Sequence, residues 1–211
     1  MIDLYTWGTP NGRKISIMLE ETGLEYTPHS INIGDGEQNT ESFSKISPNN
    51  KIPAIVDHDT GITLMESGAI LIYLAEKSGK FLPSGEKERL VTLEWLMWQM
   101  GGIGPMLGQV HHFVKFNKGS SEYAEKRYLL EGLRLYKVMD QRLSDNEYLN
   151  GKTYSIADIA TWPWIARYDW QTIDLSGFGN VLRWYKDIAQ RPQVKIGWNI
   201  PRTEQKIPLP M

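Results

Sequence analysis

Ser47-Pro48-Asn49-Asn50-Lys51-Ile52-Pro53-Ala54-Ile55-Val56-Asp57, followed after a turn by Glu66-Ser67-Gly68-Ala69-Ile70-Leu71-Ile72-Tyr73-Leu74, decides the fold. Ile52 to Val56 is a compact apolar strand entered through an X-Pro bond. His58-Asp59-Thr60-Gly61 is a turn, and Ile62 to Met65 returns as the second arm of a hairpin. Glu66 to Lys77 then has helical spacing, with a broad apolar face from Ile70, Leu71, Tyr73 and Leu74, and Gly79 ends it. Upstream, Ile2 to Trp7 is short and β-prone, and Gly8-Thr9-Pro10-Asn11-Gly12 is a strong turn cluster. Ile15, Ile17, Met18, Leu19 and Thr22 follow at helical spacing, and Gly23 stops that helix. Tyr26 to Ile33 reads as a second strand, so strand, helix and strand in about thirty residues predict a parallel βαβ unit. Thr40-Glu41-Ser42-Phe43 starts a short helix. The predicted order is βαβ, short helix, ββα.

After Gly79 the pattern changes. Phe81-Leu82-Pro83-Ser84-Gly85-Glu86 has linker character, and from Glu88 onward the chain is helical with almost no strand signal. Leu90, Leu93, Leu96 and Met97 give one helix, bent or broken at Gly101-Gly102-Ile103-Gly104-Pro105. Tyr123 to Leu143, Ser155 to Tyr168 and Val181 to Gln190 give three more, and Arg191-Pro192 starts a short last one. The boundary falls near residues 79–87. It divides an α/β domain, 1–80, from an all-α domain, 87–211. The tail from Pro201 is expected to be extended.

Composition narrows the chemistry. The 211 residues carry a net charge of −2, so nothing draws the chain in bulk toward nucleic acid or an anionic membrane. No apolar run reaches the ~18 residues that span a bilayer, and Met1-Ile2-Asp3-Leu4-Tyr5-Thr6-Trp7 lacks the basic and apolar regions of a signal peptide. There is no cysteine, which excludes disulfides, thiolate metal sites and a protein thiol nucleophile, and fits a reducing cytoplasm. Any thiol chemistry must use a thiol carried in by a ligand.

Three motifs point to a ligand. Ile52-Pro53 is most simply a trans proline at a strand start. In the cis form, roughly 5–6% of such bonds, it would turn the backbone of Ile52 toward an extended peptide added as a short strand. Glu66-Ser67 at a helix entry could be a plain cap. It could also read both ends of an α-amino acid, with Ser67 and the helix N–H groups on the carboxylate and Glu66 on the ammonium. Thr9-Pro10-Asn11-Gly12 lies where a thioredoxin-like fold carries its C-x-x-C dithiol. Here the Thr9 hydroxyl and the Asn11 side chain or N–H could donate to a bound thiolate beside a helix N-terminus. The capping reading makes Asn11 the N-cap of that helix. Two other motifs are structural. Ser155-Ile156-Ala157-Asp158 is an S-x-x-D capping box. His111-His112 cannot be a metal pair, since neighbours on a helix point apart, so no metal is expected.

Taken together, these strings resemble the cytosolic glutathione transferases over essentially residues 1–195. Thr9-Pro10-Asn11-Gly12, the stretch from Ser47 to Asp57, and Gly104-Pro105-Met106-Leu107-Gly108-Gln109 with His111-His112-Phe113 look most like the bacterial Nu-class members. The resemblance implies a thioredoxin-like N-terminal domain, an all-α C-terminal domain and a homodimer with its site near the interface. It implies glutathione, reduced or oxidised, as cosubstrate. Asn11 would donate to the sulfur with Thr9 near it, and Gln38 and Lys51 would approach the glycyl end. Ile52 would pair its backbone with the cysteinyl unit across a cis Pro53. Glu66 and Ser67 would hold the γ-glutamyl end, and Arg127 would reach in from the helical domain. Tyr5 comes too early to act as the thiol-activating residue of many family members. The resemblance to the Nu-class members implies glutathione-dependent reduction of small disulfides. The alternatives are glutathione transfer or peroxide reduction, and a non-catalytic glutathione-binding module.

Overall fold

The computed structural model describes residues 1–201 and 205–210. The first part of the chain runs β1 (Ile2–Thr6), α1 (Pro10–Thr22), β2 (Tyr26–Ser30), α2 (Glu41–Ile46), β3 (Ala54–Asp57), β4 (Ile62–Met65) and α3 (Ser67–Ser78). The second part is helical: α4 (Glu86–Trp98), α5 (Gly104–Val110), α6 (Glu122–Ser144), α7 (Ile156–Ile165), α8 (Gly179–Ala189) and α9 (Pro192–Trp198). The predicted order of elements is the observed one. Part of the tail expected to be extended lies outside the described residues, and 205–210 have no regular structure.

Two compact units form, one from Met1–Leu82 with Gln190–Ile207, the other from Pro83–Ala189 with Pro208–Met211. In the first, a four-stranded sheet has the order β2-β1-β3-β4. β1 and β2 are parallel, as the βαβ spacing requires, and β3 is antiparallel to both β1 and β4. Pro28 sits on β2, an edge strand, where a missing N–H need not interrupt a ladder. The core is Leu4 and Ile55 from the sheet, Ile15, Met18 and Leu19 from α1, and Ile70, Leu71 and Leu74 from α3, all fully buried. Both main helices end on a left-handed glycine, Gly23 and Gly79, as the sequence predicts.

Residues 190–207 depart from the sequence reading, which placed them with the helical domain. α9 belongs to the first unit because it packs against α1. A Cβ on Gly197 would stand 2.7 Å from the Cα of Ile17, so only glycine permits this approach. The Ser16 hydroxyl donates to the Gly197 carbonyl at 2.7 Å. The Arg13 guanidinium lies 3.5 Å from the centre of the Trp198 ring and donates to the Trp198 carbonyl at 3.0 Å. Arg191 grips Glu21 with two parallel hydrogen bonds.

In the helical unit the chain is not broken near Gly101–Pro105, where a bend or a break is expected. The chain keeps winding through a wide π-helical turn, Gln99–Ile103, into α5, and through a second, His111–Phe116. The i→i+5 turn accommodates an extra residue and shifts the hydrogen-bond pairing just ahead of Pro105, which has no N–H to donate. Ser155 and Asp158 form the predicted capping box. Asp158 does more than cap. One carboxylate oxygen accepts from the Ser155 N–H at 3.0 Å and the Ser155 hydroxyl at 2.9 Å. The other accepts from the Leu149 N–H and the Trp184 indole, each at 2.9 Å.

His111 and His112 diverge as expected for helical neighbours: His111 is buried and His112 exposed. His111 stacks on Trp164 and meets the side-chain amide of Gln171 at 3.1 Å. That amide nitrogen also donates to the Trp164 carbonyl, and the amide oxygen accepts from Tyr136. The imidazole nitrogen facing Gln171 is therefore an acceptor and the ring is neutral. Burial, then the nearby Arg167 guanidinium, lowers its pKa from 6.5 to about 4. The unfolded chain thus binds more protons between these values, and stability is lost as pH falls from 6.5 through 4. Denaturant melts at pH 7 and pH 4 should show a loss of roughly 3 kcal/mol from this group. Asp158, whose carboxyl pKa is raised to about 6, acts with the opposite sign over this range, so the check is the difference between the native protein and His111→Gln at the two pH values; the same difference at both would remove His111 as a contributor.

Candidate functional site

One end of the sheet collects the candidate residues of the first unit. The strand registers place Tyr5 opposite Ala54 and Ala54 opposite Met65. The chain leaving β1, the chain entering β3 and the chain leaving β4 therefore emerge together. Those segments carry Thr9 and Asn11, then Lys51, Ile52 and Pro53, then Glu66 and Ser67. β2 is parallel to β1, with Thr6 opposite Ser30, so the loop bearing Gln38 leaves from the same end.

The β1–α1 turn is built on two residues. Thr9, not Asn11, is the N-cap: its hydroxyl oxygen accepts from the Gly12 N–H at 3.1 Å. Both residue types cap well, and Pro10 decides between them by occupying the first helical position, which makes Thr9 the residue just outside. Asn11 becomes the second residue of α1 and is half-buried. As the Thr9 oxygen is the acceptor toward Gly12, its hydroxyl hydrogen points elsewhere. The first turn of α1 holds no carboxylate to neutralise its partial positive charge. Gly12 packs against β1 so closely that a Cβ would stand 2.5 Å from the Thr6 hydroxyl and closer still to the Trp7 carbonyl oxygen.

The approach to β3 is pinned from within. The buried Ser47 hydroxyl donates to the Lys51 carbonyl at 2.8 Å, and the Asn50 N–H donates to the Ser47 carbonyl at 2.8 Å. Asn50 is left-handed at φ 53°, which asparagine tolerates, and its side chain accepts from Ser44. The Ile52–Pro53 peptide is cis. Ile52 precedes the first ladder pair of β3, and no backbone hydrogen bond of Ile52 occurs among the described residues. The Lys51 side chain is exposed.

At the mouth of α3, Glu66 has φ 70° and ψ 109°, a conformation rare for any residue but glycine. It makes no capping bond of its own and is exposed, while Ser67 is buried. Strain of this kind is tolerated where surrounding structure holds it, and it clusters at binding sites. Behind Ser67 stands a residue the sequence reading missed. The Lys14 ammonium, on the second turn of α1 and only 1% exposed, donates to the Ser67 hydroxyl at 3.1 Å. Burial lowers its pKa from 10.5 to about 7, against the pull of the Glu66 carboxylate. Its spacing of three from Asn11 was the available signal, since i and i+3 share a helix face.

Gln38 lies in a 3-10 turn, Glu37–Asn39, and its side-chain oxygen is buried without a hydrogen-bond partner among the described residues. Tyr5 is in β1, stacked on His29 at 4.8 Å, and burial pushes its phenol pKa up, so it is poorly suited to activate a thiol. Arg127 is on α6 in the helical unit. There it lines a hollow of about 820 Å³ with Met106, Tyr123, Tyr128, Glu131 and Arg134, and its side chain is exposed. Among the described residues, no group of three or more His, Asp or Glu could hold a metal.

A thioredoxin-like sheet with a thiol-free β1–α1 turn, followed by a helical unit, defines the class. The glutathione S-transferase N-terminal domain family matches residues 1–76 and the C-terminal domain family matches 103–192. The chain belongs to the glutathione S-transferase family. It is 51% identical over 197 residues to the disulfide-bond oxidoreductase YfcG of Escherichia coli K12, covering 91% of this chain and 92% of that one. Among solved structures, a glutathione transferase from Burkholderia graminis with two glutathione molecules bound per subunit superposes with a TM-score of 0.91. It is 43% identical and covers 96% of this chain and 89% of its own. A glutathione transferase from Pseudomonas putida with one glutathione disulfide bound per subunit gives 0.90 at 43% identity, covering 95% and 91%.

Proposed function

We propose that this protein is a glutathione-dependent disulfide-bond reductase. The observation that carries the reading is the β1–α1 turn, where Thr9 and Asn11 stand at a helix N-terminus in a chain with no cysteine. The names and bound ligands of the relatives support it. Asn11 donates to the sulfur of bound glutathione, with the Thr9 hydroxyl beside it, and the helix end favours the thiolate. Ile52 pairs its backbone with the cysteinyl unit next to Pro53, Gln38 and Lys51 serve the glycyl carboxylate, and Glu66 and Ser67 take the γ-glutamyl end. Arg127 is assigned to glutathione by family resemblance alone, and Arg127→Ala tests it through the glutathione Kd.

The exchange is two thiolate displacements. The glutathione thiolate attacks one sulfur of the substrate disulfide, forms a mixed disulfide and expels the other half as a thiolate, which takes a proton from solvent. A second glutathione thiolate attacks the glutathione sulfur of that mixed disulfide. This gives glutathione disulfide and releases the remaining substrate thiol. The protein orients the sulfur and stabilises its charge. It supplies no nucleophile.

The deciding assay is reduction of 2-hydroxyethyl disulfide by glutathione with and without the protein. Acceleration above background is expected, and none would overturn the reading. A larger rate toward an aryl halide or an organic hydroperoxide would move the assignment to transfer or peroxidase chemistry. Asn11→Ala should lower disulfide turnover at least tenfold, about 1.4 kcal/mol, with the thermal melt unchanged. Equal kinetics would take Asn11 out of its role.

The same proposal places the protein in the cytoplasm as a homodimer. No helix among the described residues is long and apolar enough to cross a membrane, and a reducing glutathione pool suits the reaction. α4 exposes Leu90 and Met97, and α6 exposes Tyr123 and Leu130. Each pair is seven residues apart and so shares one helix face, where apolar side chains stand beside the charges of Glu94 on α4 and of Lys126 and Arg127 on α6, a mixed surface suited to a second copy. Light scattering should give the mass of a dimer.

A further inference from the structure

The buried lysine at the root of α3 has no part in the reaction above. An ammonium in that place is doubly unfavourable: it is out of water, and it stands at the positive end of a helix. Lysine can only donate while charged, so Ser67 must be its acceptor, and the Ser67 hydroxyl hydrogen is then directed away from Lys14. A neutral amine could accept that hydrogen instead and turn it inward. A charged Lys14 therefore cannot be the acceptor of the Ser67 hydrogen.

We infer that Lys14 is a positioning residue for the anionic end of the ligand: its ammonium keeps the Ser67 hydroxyl hydrogen turned away from itself and balances the carboxylate that Ser67 and the α3 N-terminus receive. The inference rests on the glutathione reading, in which that carboxylate belongs to the γ-glutamyl end.

Among the charged groups packed around α1, Glu66 at the start of α3 acts on Lys14. Arg13 is turned to α9 and Trp198. Asp3 on β1 is engaged by His29 and His58, and Lys77 on α3 by Asp57. Lys195 on α9 and Glu76 on α3 are exposed. A ligand carboxylate at Ser67 would therefore add a negative charge next to a lysine poised near neutrality, whose pKa burial has brought down to about 7. Binding above that pH draws a proton from the buffer onto Nζ, so affinity and proton uptake are linked.

The experiment is calorimetric titration with S-methylglutathione, whose sulfur cannot titrate, at pH 7.5 in buffers of different ionisation enthalpy. The native protein should take up protons on binding, and its affinity should fall as pH rises from 7 to 9. Lys14→Met should remove most of the uptake, flatten the pH profile and weaken binding at least tenfold. An analogue with the γ-glutamyl carboxylate amidated should bind both proteins alike without Lys14-dependent uptake. Binding to the native protein without uptake, or uptake unchanged in Lys14→Met, would overturn the role of Lys14 and leave the glutathione reading standing. Failure of S-methylglutathione to bind the native protein would instead remove that reading, and this inference with it. Should Lys14→Met not fold, the amidated analogue on the native protein decides: equal uptake with both ligands overturns the inference.

Discussion

Asp158→Ala is expected to lower the unfolding free energy by about 4 kcal/mol, since a buried donor left without its acceptor costs about 1–3 kcal/mol and several are involved. The carboxylate accepts four hydrogen bonds, from the Ser155 N–H and hydroxyl, the Leu149 N–H and the Trp184 indole. All lie in a dry interior: Asp158, Ser155, Leu149 and Trp184 are fully buried. Truncation to alanine also leaves a small cavity that the neighbours cannot all fill. The site ties the start of α7 to α8 and to the segment before it, so the loss spreads over three pieces of chain. Ser155→Ala removes one donor and one helix cap, and should cost only about 1 kcal/mol. Denaturant melts of the two variants at pH 7.5 give the test. Equal losses would mean that Asp158 acts as a cap alone. Burial pushes the carboxyl pKa up to about 6 despite its four donors, so at pH 7.5 the group measured is the carboxylate.

Gly12→Ala is expected to reduce disulfide turnover by about 10²-fold, the cost of a displacement near 1 Å in the reacting geometry. The added methyl would meet the Trp7 carbonyl and the Thr6 hydroxyl, which belong to β1 and the turn after it. Those atoms cannot swing aside like the end of a long side chain, so the start of α1 must move, and Thr9 and Asn11 move with it. Overpacking adds a stability loss of about 1–3 kcal/mol. Far-ultraviolet circular dichroism should show the fold kept, so that the lost activity reports geometry. Wild-type turnover in a folded Gly12→Ala protein would show that the turn does not position the reacting sulfur.

The fold was legible because its signals are local. Short apolar and β-prone runs, apolar residues at helical spacing, the turn at His58–Gly61 and the glycines at 23 and 79 each mark an element without help from the rest of the chain. Ser155 and Asp158 were readable for the same reason. The exceptions depend on distant partners. Gln190–Ile207 joins the first unit because Gly197 meets Ile17, a pairing 180 residues apart in the chain that no local pattern announces. Thr9 and Asn11 are both good caps, and only the placement of Pro10 in the first turn separates them. Lys14 does not stand out in the sequence, because a lysine on a helix is ordinarily a solvated residue. Its burial arises only when α3 packs on α1. The candidate residues of the first unit were legible as types, through the hydroxyls, amide and acid at strand ends. Their convergence at one end of the sheet comes from the strand order and registers.

The return of α9 to the first unit has a consequence for synthesis. A ribosome that has finished Leu82 has made the sheet and its two main helices, yet it has not made the helix that meets α1 at Ile17 and holds Arg13. Translation at about 5–20 residues per second leaves that face uncovered for several seconds or more. The first unit to be made is thus among the last to be completed, and a nascent chain stalled before Gln190 would present the uncovered side of α1 to chaperones.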